Sequence, residues 1–225
     1  MRLVRLAWPE VADRAATSVL AVPVGATEQH GPHLSIGTDT AVAVALADRL
    51  ASARADVLVA PAVAYGSSGE HAGFAGTLSI GGDAVRLVLV ELVRSADAFA
   101  GVVLVSAHGG NAAPVAAAAA TLVREGRRVL VWSPRHDGDA HAGRAETSMM
   151  LSIDPAAVRA RQFEPGDPRP LGEVIGALRN GGVASVSPNG VLGDPTGACA
   201  AEGAALLDRM VADLVATVAV WHPAP

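Results

Sequence analysis

The sequence contains no lysine, because all 17 of its basic residues are arginine. A chain without lysine cannot form a Schiff base with a substrate and cannot supply the lysine of a phosphate-binding P-loop. It has one cysteine, Cys199, which excludes an intramolecular disulfide framework. Aromatic residues make up only 3% and charged residues 17% of the 225 residues, whereas hydrophobic residues make up 51%. This composition excludes an intrinsically disordered chain.

The sequence also lacks the signals of membrane, secreted and nucleic-acid-binding proteins. Its formal net charge of -5 provides no basic surface for nucleic acid. The first twenty residues carry several charges and no continuous apolar run, which argues against a secretory signal. The longest apolar stretch, over residues 114–123, is too short to cross a bilayer. We therefore expect a cytoplasmic protein with neither a nucleic-acid nor a membrane partner.

Strand-like and helix-like segments alternate along the chain. Apolar runs predict buried strands over residues 18–24, 57–63, 101–105 and 129–132. Apolar residues at helical spacing predict helices over residues 39–53, 83–99, 112–124 (capped by Asn111), 142–151 and 200–218. Residues 164–199 are rich in proline, glycine and aspartate and are predicted to form a loop-like covering segment. The alternation predicts one α/β domain over residues 1–225, with a parallel sheet covered on both faces.

Histidines and carboxylates follow the predicted strands, where sites form in such folds. Six of the seven histidines lie there: His30, His33, His71, His108, His136 and His141. In an extended segment Glu28 and His30, two residues apart, face the same way. Asp39 begins the next helix, and a short carboxylate can bridge two cations. Mixed imidazole and carboxylate ligands favour zinc, manganese or iron, and two such ions can activate water and polarise a carbonyl.

Other functions are consistent with parts of this pattern. The same ligands could hold a metal ion in a structural or binding protein without turnover. The glycines beside His108 could form a phosphate-binding loop, but no Gly-x-Gly-x-x-Gly pattern follows a strand and no lysine is present. Two polar residues, His33 and Asn111, are expected to orient ligands without binding metal themselves.

Five blocks of sequence, in order along the chain, resemble the creatininase family of metal-dependent amidohydrolases. They read PVGATEQHGPHL (23–34), SSGEH (67–71), SAHGGN (106–111), HAGRAETS (141–148) and GVLGDPT (190–196). The resemblance implies a three-layer αβα sandwich with a mostly parallel central sheet and a site for two divalent metal ions. It also implies that Glu28, Asp39 and His108 hold one ion. His30, Asp39 and Glu146 would hold the other, so that Asp39 bridges the two.

The resemblance places His141 near the substrate, and we expect either His141 or Glu70 to pass a proton to the leaving nitrogen. The substrate pocket is expected to be lined by His71, Tyr65, Phe74 and Trp132. Arg135 and Arg144 are candidates for binding a peptide carboxylate. One departure from the family pattern concerns the third block, where Gly110 stands in place of the glutamate of creatininase proper. This departure argues against creatinine as the substrate.

Residues 65–71 and 181–196 are most similar to a peptidase within this family. That similarity implies cleavage of a radical-SAM-modified precursor peptide near its C-terminus, which releases a fragment derived from a Val-Tyr dipeptide. The alternative is a hydrolase of a cyclic amide or formamide that acts on a small metabolite. Family analogy further implies a homo-oligomer, such as a hexamer.

Overall fold

Four short strands form one parallel sheet at the centre of the chain. The computed structural model describes residues 1–135 and 138–223, so the candidate His136 lies outside the described residues. The strands are β1 (Val19–Val24), β2 (Val57–Val59), β3 (Gly101–Ser106) and β4 (Val129–Trp132). Their order is β2-β1-β3-β4, with Val19 opposite both Val57 and Gly101. The predicted parallel sheet is therefore confirmed.

Seven helices surround this sheet among the described residues. They are α1 (Trp8–Ala15), α2 (Thr38–Ala53), α3 (Gly82–Arg94), α4 (Ala112–Arg124), α5 (Arg144–Ile153), α6 (Leu171–Gly181) and α7 (Ala200–Trp221). Alternate residues of β1 face opposite layers. Val19 and Ala21 pack in a core with residues of α2, α5 and α7, whereas Leu20 and Val22 pack with residues of α3 and α4. This arrangement is the predicted three-layer αβα sandwich.

Some predicted bounds need correction. The second strand ends at Val59, not at residue 63, because Pro61 has no N–H for the ladder, although Val63 still forms a bridge with Val24. The third helix ends at Arg94, not at residue 99. The Ser95 hydroxyl donates to the carbonyl of Leu92 and so competes for the backbone acceptors that would continue the helix.

The larger correction concerns residues 164–199, which the composition predicts to be loop. This segment contains helix α6. Its glycines Gly172 and Gly176 lower the helix propensity, so the sequence does not predict this helix. The helix forms because tertiary packing outweighs propensity: Val174 and Leu178 are buried against Val183 and Leu192 in a small cluster of their own.

The parallel sheet brings the loops that follow β1, β2 and β3 to one edge. The carboxyl ends of parallel strands lie on the same side, so segments far apart in sequence meet there. His108 comes two residues after β3, and Glu28 lies four residues after β1. No helix of the described residues is long and apolar enough to span a membrane.

Candidate metal centre

Glu28, Asp39 and His108 form a buried cluster at this edge of the sheet. Asp39 lies in the first turn of α2, and its Oδ2 is 3.2 Å from His108 Nδ1. Glu28 Oε2 is 3.3 Å from His108 Nε2. One potential ligand atom from each of the three side chains lies within 4.8 Å of the others. The three residues thus offer two carboxylates and an imidazole to a single cation.

A second group joins the first through Asp39. His30 Nε2 lies 3.2 Å from Asp39 Oδ1 and 3.9 Å from Glu146 Oε2. In His30, His141 and Glu146, one potential ligand atom from each side chain lies within 4.8 Å of the others, so these residues could also hold an ion. The two oxygens of Asp39 therefore face two different imidazoles, as a carboxylate that bridges two cations must.

Three carboxylate oxygens of this centre are buried without a hydrogen bond to any described residue. Glu28 is 1% exposed, and neither of its carboxylate oxygens has a hydrogen-bond partner among the described residues; the same holds for Asp39 Oδ2. Burial, followed by the charge of Asp39, raises the pKa of Glu28 to about 8. Uncompensated buried carboxylate oxygens are costly, and a bound cation would satisfy them.

The pKa values of the remaining ligands follow from the same burial and charges. Burial acts to lower the pKa of His30 and of His108, but Asp39 and the glutamates outweigh it and raise these values to about 10 and about 9. Burial acts to raise the pKa of Asp39, yet the two imidazoles hold it well below its ordinary range. Such mutual dependence of carboxylates and imidazoles is typical of functional sites.

His71 and His141 stand beside Glu28 as neutral imidazoles. Burial, reinforced by the charge of His30, lowers the pKa of His71 to about 3 and that of His141 well below its ordinary value. Glu28 Oε1 is 3.4 Å from His71 Nε2 and 3.8 Å from His141 Nδ1. These three residues form a third group at metal-binding distance. Both imidazoles therefore face Glu28 in the neutral form.

Gln29 orients these imidazoles, a role that sequence reasoning missed. Its Nε2 donates to His71 Nδ1 at 2.9 Å, and its main-chain carbonyl accepts from His141 Nε2 at 2.9 Å. The alternation rule predicts that Gln29 faces away from Glu28 and His30. The segment after β1 is irregular, however, so that rule does not apply there.

Asn111 connects the loops that carry the ligands. The sequence predicts that it caps α4, but its side chain makes no capping hydrogen bond. Its Oδ1 accepts from Ser67 N and its Nδ2 donates to the Gly25 carbonyl, both at 2.9 Å. The carbonyl of Ser67 in turn accepts from His108 Nε2 at 2.9 Å. The Asn111 side chain thus joins two loops that are distant in sequence, and through Ser67 it helps to position His108.

The other expected supporting residue, His33, contacts the helix that carries Glu146. His33 is fully buried, and its Nε2 lies 2.9 Å from the hydroxyl of Thr147, the residue after Glu146. Glu146 Oε2 accepts a hydrogen bond from Ala142 N at 2.6 Å. These contacts fix the start of α5 relative to the loop after β1.

A cavity of about 890 Å³ opens onto the centre. We call it the site cavity; its walls include Glu28, Asp39, Glu70, His71, His108, His141 and Glu146, together with Leu171, Ile175 and Arg179 of α6. Glu70 approaches His108 because position 110 is glycine. A Cβ placed at Gly110 would lie 2.6 Å from Glu70 Oε1 and 2.5 Å from His108 Nε2. This volume lies within the range of small-molecule sites, about 300–1,000 Å³.

The structure does not bring the three predicted aromatic residues to the site cavity. Trp132 borders a different cavity, where its indole Nε1 donates to Asp213 at 2.7 Å, because it lies in an edge strand that faces α7. Tyr65 is 51% exposed and does not line the site cavity. Phe74 packs against the cluster beneath α6. The apolar part of the site cavity's wall comes instead from aliphatic residues of α6, the helix that the sequence does not predict.

The two candidate arginines are also away from the centre. Arg135 and Arg144 both border the cavity of Trp132. Arg144 Nε donates to Glu202 Oε2 at 2.8 Å, so its guanidinium is already paired with a carboxylate. Neither arginine lines the site cavity.

Comparison with known proteins agrees with this geometry. Residues 4–218 match the family model of creatininase, described as creatinine amidohydrolase. The chain belongs to the creatininase family and is a hydrolase of that family. It is 49% identical over 210 residues to the mycofactocin precursor peptide peptidase of Mycolicibacterium smegmatis (strain ATCC 700084 / mc(2)155), covering 90% of this chain and 85% of that protein.

Two further relatives extend the comparison. The mycofactocin precursor peptide peptidase of Mycobacterium tuberculosis (strain ATCC 25618 / H37Rv) is 46% identical over 218 residues, covering 92% of this chain and 86% of that protein. The solved structure titled "Creatininase Mn" superposes with a TM-score of 0.86 at 25% identity, covering 99% of this chain and 98% of that one. The fold and the family therefore agree.

Proposed function

We propose that this chain is a dinuclear metal-dependent peptidase that cleaves the modified mycofactocin precursor peptide near its C-terminus and releases a Val-Tyr-derived fragment. The observation that carries the metal dependence is the pair of 3.2 Å distances from the two oxygens of Asp39 to His30 and His108. The substrate is supported by relatives of that name at 46–49% identity over about nine-tenths of the chain.

The ligand residues fit two divalent cations. In this assignment Glu28, Asp39 and His108 hold one ion, while His30, Asp39 and Glu146 hold the other. The first of these ions would satisfy the buried oxygens of Glu28 and Oδ2 of Asp39, which make no hydrogen bond. Zinc and iron suit this mixed set of nitrogen and oxygen ligands, and manganese is also compatible with it.

When bound, the two ions would supply activation of water and polarisation of the scissile carbonyl. The protein's own contribution is to place a proton carrier at the leaving nitrogen. His141 is neutral, lines the site cavity and is oriented by the Gln29 carbonyl. Glu70 lines the same cavity beside His108. Removal of the residue that carries the proton should slow the reaction by about 10²–10⁴-fold.

The test is hydrolysis of the modified precursor peptide by the purified, metal-loaded chain, followed by mass spectrometry. We expect two fragments, with the cut near the C-terminus, and we expect a chelator to abolish the cleavage. His141→Ala and Glu70→Gln, measured side by side, identify the proton carrier. Hydrolysis of a cyclic amide or formamide but not of the peptide would establish the alternative. Metal binding without any amide hydrolysis would indicate a structural or binding role.

We also propose that the chain acts as a single domain within a cytoplasmic homo-oligomer, such as a hexamer. Large apolar side chains are exposed at several places, among them Leu78, Leu87 and Leu171, which are 53%, 55% and 48% exposed. These exposed leucines are the residues that we expect a subunit interface to cover. Light scattering coupled to size-exclusion chromatography gives the mass directly, and a monomeric mass would refute this part of the proposal.

A further inference from the structure

The side-chain amide of Gln29 is fixed in one orientation by backbone groups on both sides. Its Oε1 accepts a hydrogen bond from the N–H of Gly31 at 2.8 Å, and its Nε2 donates to the Gly190 carbonyl at 3.0 Å. Exchanging the amide oxygen and nitrogen would set a carbonyl against a carbonyl and an N–H against an N–H. Gln29 is only 6% exposed, so water does not compensate for such a loss.

The surrounding backbone is built to receive this amide. A Cβ placed at Gly190 would lie 1.9 Å from Gln29 Oε1, and Gly190 adopts a φ of +81°, so both the space and the backbone conformation require glycine there. The backbone N–H of Gln29 donates to Thr77 Oγ1 at 3.0 Å. Residue 29 is therefore held by two segments far from it in the chain.

The amide determines which nitrogen of His71 carries the proton. Gln29 Nε2 is a donor, so His71 Nδ1, 2.9 Å away, accepts and carries no proton. The proton of the neutral ring is then on Nε2, the nitrogen that lies 3.4 Å from Glu28 Oε1. His71 thus directs an N–H group toward the centre.

The main chain of Gln29 gives His141 the opposite arrangement. A carbonyl oxygen can only accept, so His141 Nε2, 2.9 Å from the Gln29 carbonyl, carries the proton. The lone pair of the neutral ring is then on Nδ1, which lies 3.8 Å from Glu28 Oε1. His71 and His141 hold the same tautomer, but the two rings are turned differently and present an N–H and a lone pair, respectively, to the centre.

We propose that Gln29 is a positioning residue that fixes His71 as a hydrogen-bond donor to the substrate and His141 as the imidazole that accepts a proton. The catalytic part of this inference rests on the proposed function. Both rings line the site cavity. The His71 N–H can stabilise negative charge that develops on the substrate carbonyl oxygen. His141 Nδ1 can take a proton from the attacking water and pass it to the leaving nitrogen, so the ring ends neutral.

The tautomers can be read by solid-state NMR of the zinc-loaded protein labelled with ¹⁵N-histidine, because protonated and unprotonated ring nitrogens give separate signals. We expect a protonated Nε2 in both His71 and His141. Gln29→Glu replaces the donor with an acceptor, so Nδ1 of His71 should gain a proton, whereas His141, held by the main chain, should not change. The matched control Gln162→Glu makes the same charge change at an exposed position outside the site cavity and should alter neither ring. A protonated Nδ1 of His71 in the wild type, or a His71 signal that Gln29→Glu leaves unchanged, would overturn the proposal.

Cleavage of the modified precursor peptide gives a test that leaves position 29 intact. His71→Leu should lower kcat by about 10²–10³-fold, as expected for the loss of an oxyanion donor. His71→Gln should recover most of this loss, because its amide can donate in place of Nε2 although it cannot carry a proton. His141→Gln should lose about 10²–10⁴-fold in kcat, because an amide cannot take up the proton. Equal losses in His71→Gln and His71→Leu would overturn the donor role while wild-type cleavage stands. If the wild type cleaves no peptide, the proposed function fails, and the NMR experiment still decides the role of Gln29.

Discussion

Replacing Gly203 with alanine should push α5 away from α7 and displace Glu146. Gly203 lies in the first part of α7, where it packs against the backbone of α5. A Cβ at this position would lie 1.8 Å from the carbonyl oxygen of Ser148 and 2.2 Å from its carbonyl carbon. Both atoms belong to the backbone, so no side-chain rotation can relieve the contact. Ser148 is only two residues from Glu146, and the ligand would move with its helix.

The magnitude follows from two opposing effects. To reach an ordinary contact distance, the two helices must separate by about 1.5 Å, and overpacking of this kind costs about 1–3 kcal/mol. Alanine in place of glycine within a helix returns about 0.5–1 kcal/mol. The clash is therefore the larger effect, and the free energy of unfolding should fall by about 1–2 kcal/mol.

The matched control is Gly176→Ala in α6, where a Cβ would meet no atom within 4 Å. The same substitution should there raise the free energy of unfolding by about 0.5–1 kcal/mol. Urea unfolding at equilibrium measures both variants, and mass spectrometry of bound metal shows whether Gly203→Ala also loses an ion. If Gly203→Ala stabilises the protein as Gly176→Ala does, the close approach of α5 and α7 is refuted.

Three more predictions concern the ligands and one ion pair. Asp39→Asn should reduce the bound metal from two ions to at most one and lower activity by at least about 10³-fold, since several kcal/mol of charge stabilisation are lost; unchanged metal content by elemental analysis would contradict the bridge. Removing metal with a chelator should lower the melting temperature, and adding metal back should restore it, because the ions bind the folded state; calorimetry that shows no shift would argue against metal binding. Arg54, whose side chain is 7% exposed, pairs with Asp56 at 2.6 Å. Arg54→Met should cost about 2–4 kcal/mol at neutral pH by urea unfolding. Because Arg54 lowers the pKa of Asp56, this contribution is present above the ordinary carboxyl range and is lost as the pH falls through the depressed pKa; a difference from wild type that persists in acid would contradict this origin.

The parts of the fold that could be predicted are those in which local sequence and tertiary structure agree. The runs that form β1 and β3 are apolar throughout, and both strands are buried on both faces. Glu28 and His108 follow these strands, and the geometry of a parallel sheet brings such positions together. The strand pattern thus places both side chains at one edge of the sheet, and the pairing of β1 with β3 makes them neighbours there.

The parts that could not be predicted depend on contacts between distant segments. Helix α6 has weak propensity and exists because Val174 and Leu178 find apolar partners. Arg179 lies in the last turn of that helix and lines the site cavity, but no sequence motif separates it from the other arginines. Trp132 is the last residue of the edge strand β4, and its side chain packs in the core beside α7. Position at the end of a strand thus indicates the right edge of the sheet but not the direction of the side chain.

The hydrogen bonds of Asn111 have a consequence for the metal content of the protein. Its amide joins the loops at Gly25 and Ser67 through uncharged groups, neither of which is a candidate ligand. Neither bond involves a bound ion, so we expect the ligand loops to keep their spacing without metal. In this the protein would differ from small domains that unfold when metal leaves. If the centre binds metal as proposed, one divalent ion would be exchangeable for another in the folded protein, and the metal carried would then reflect the supply in its surroundings.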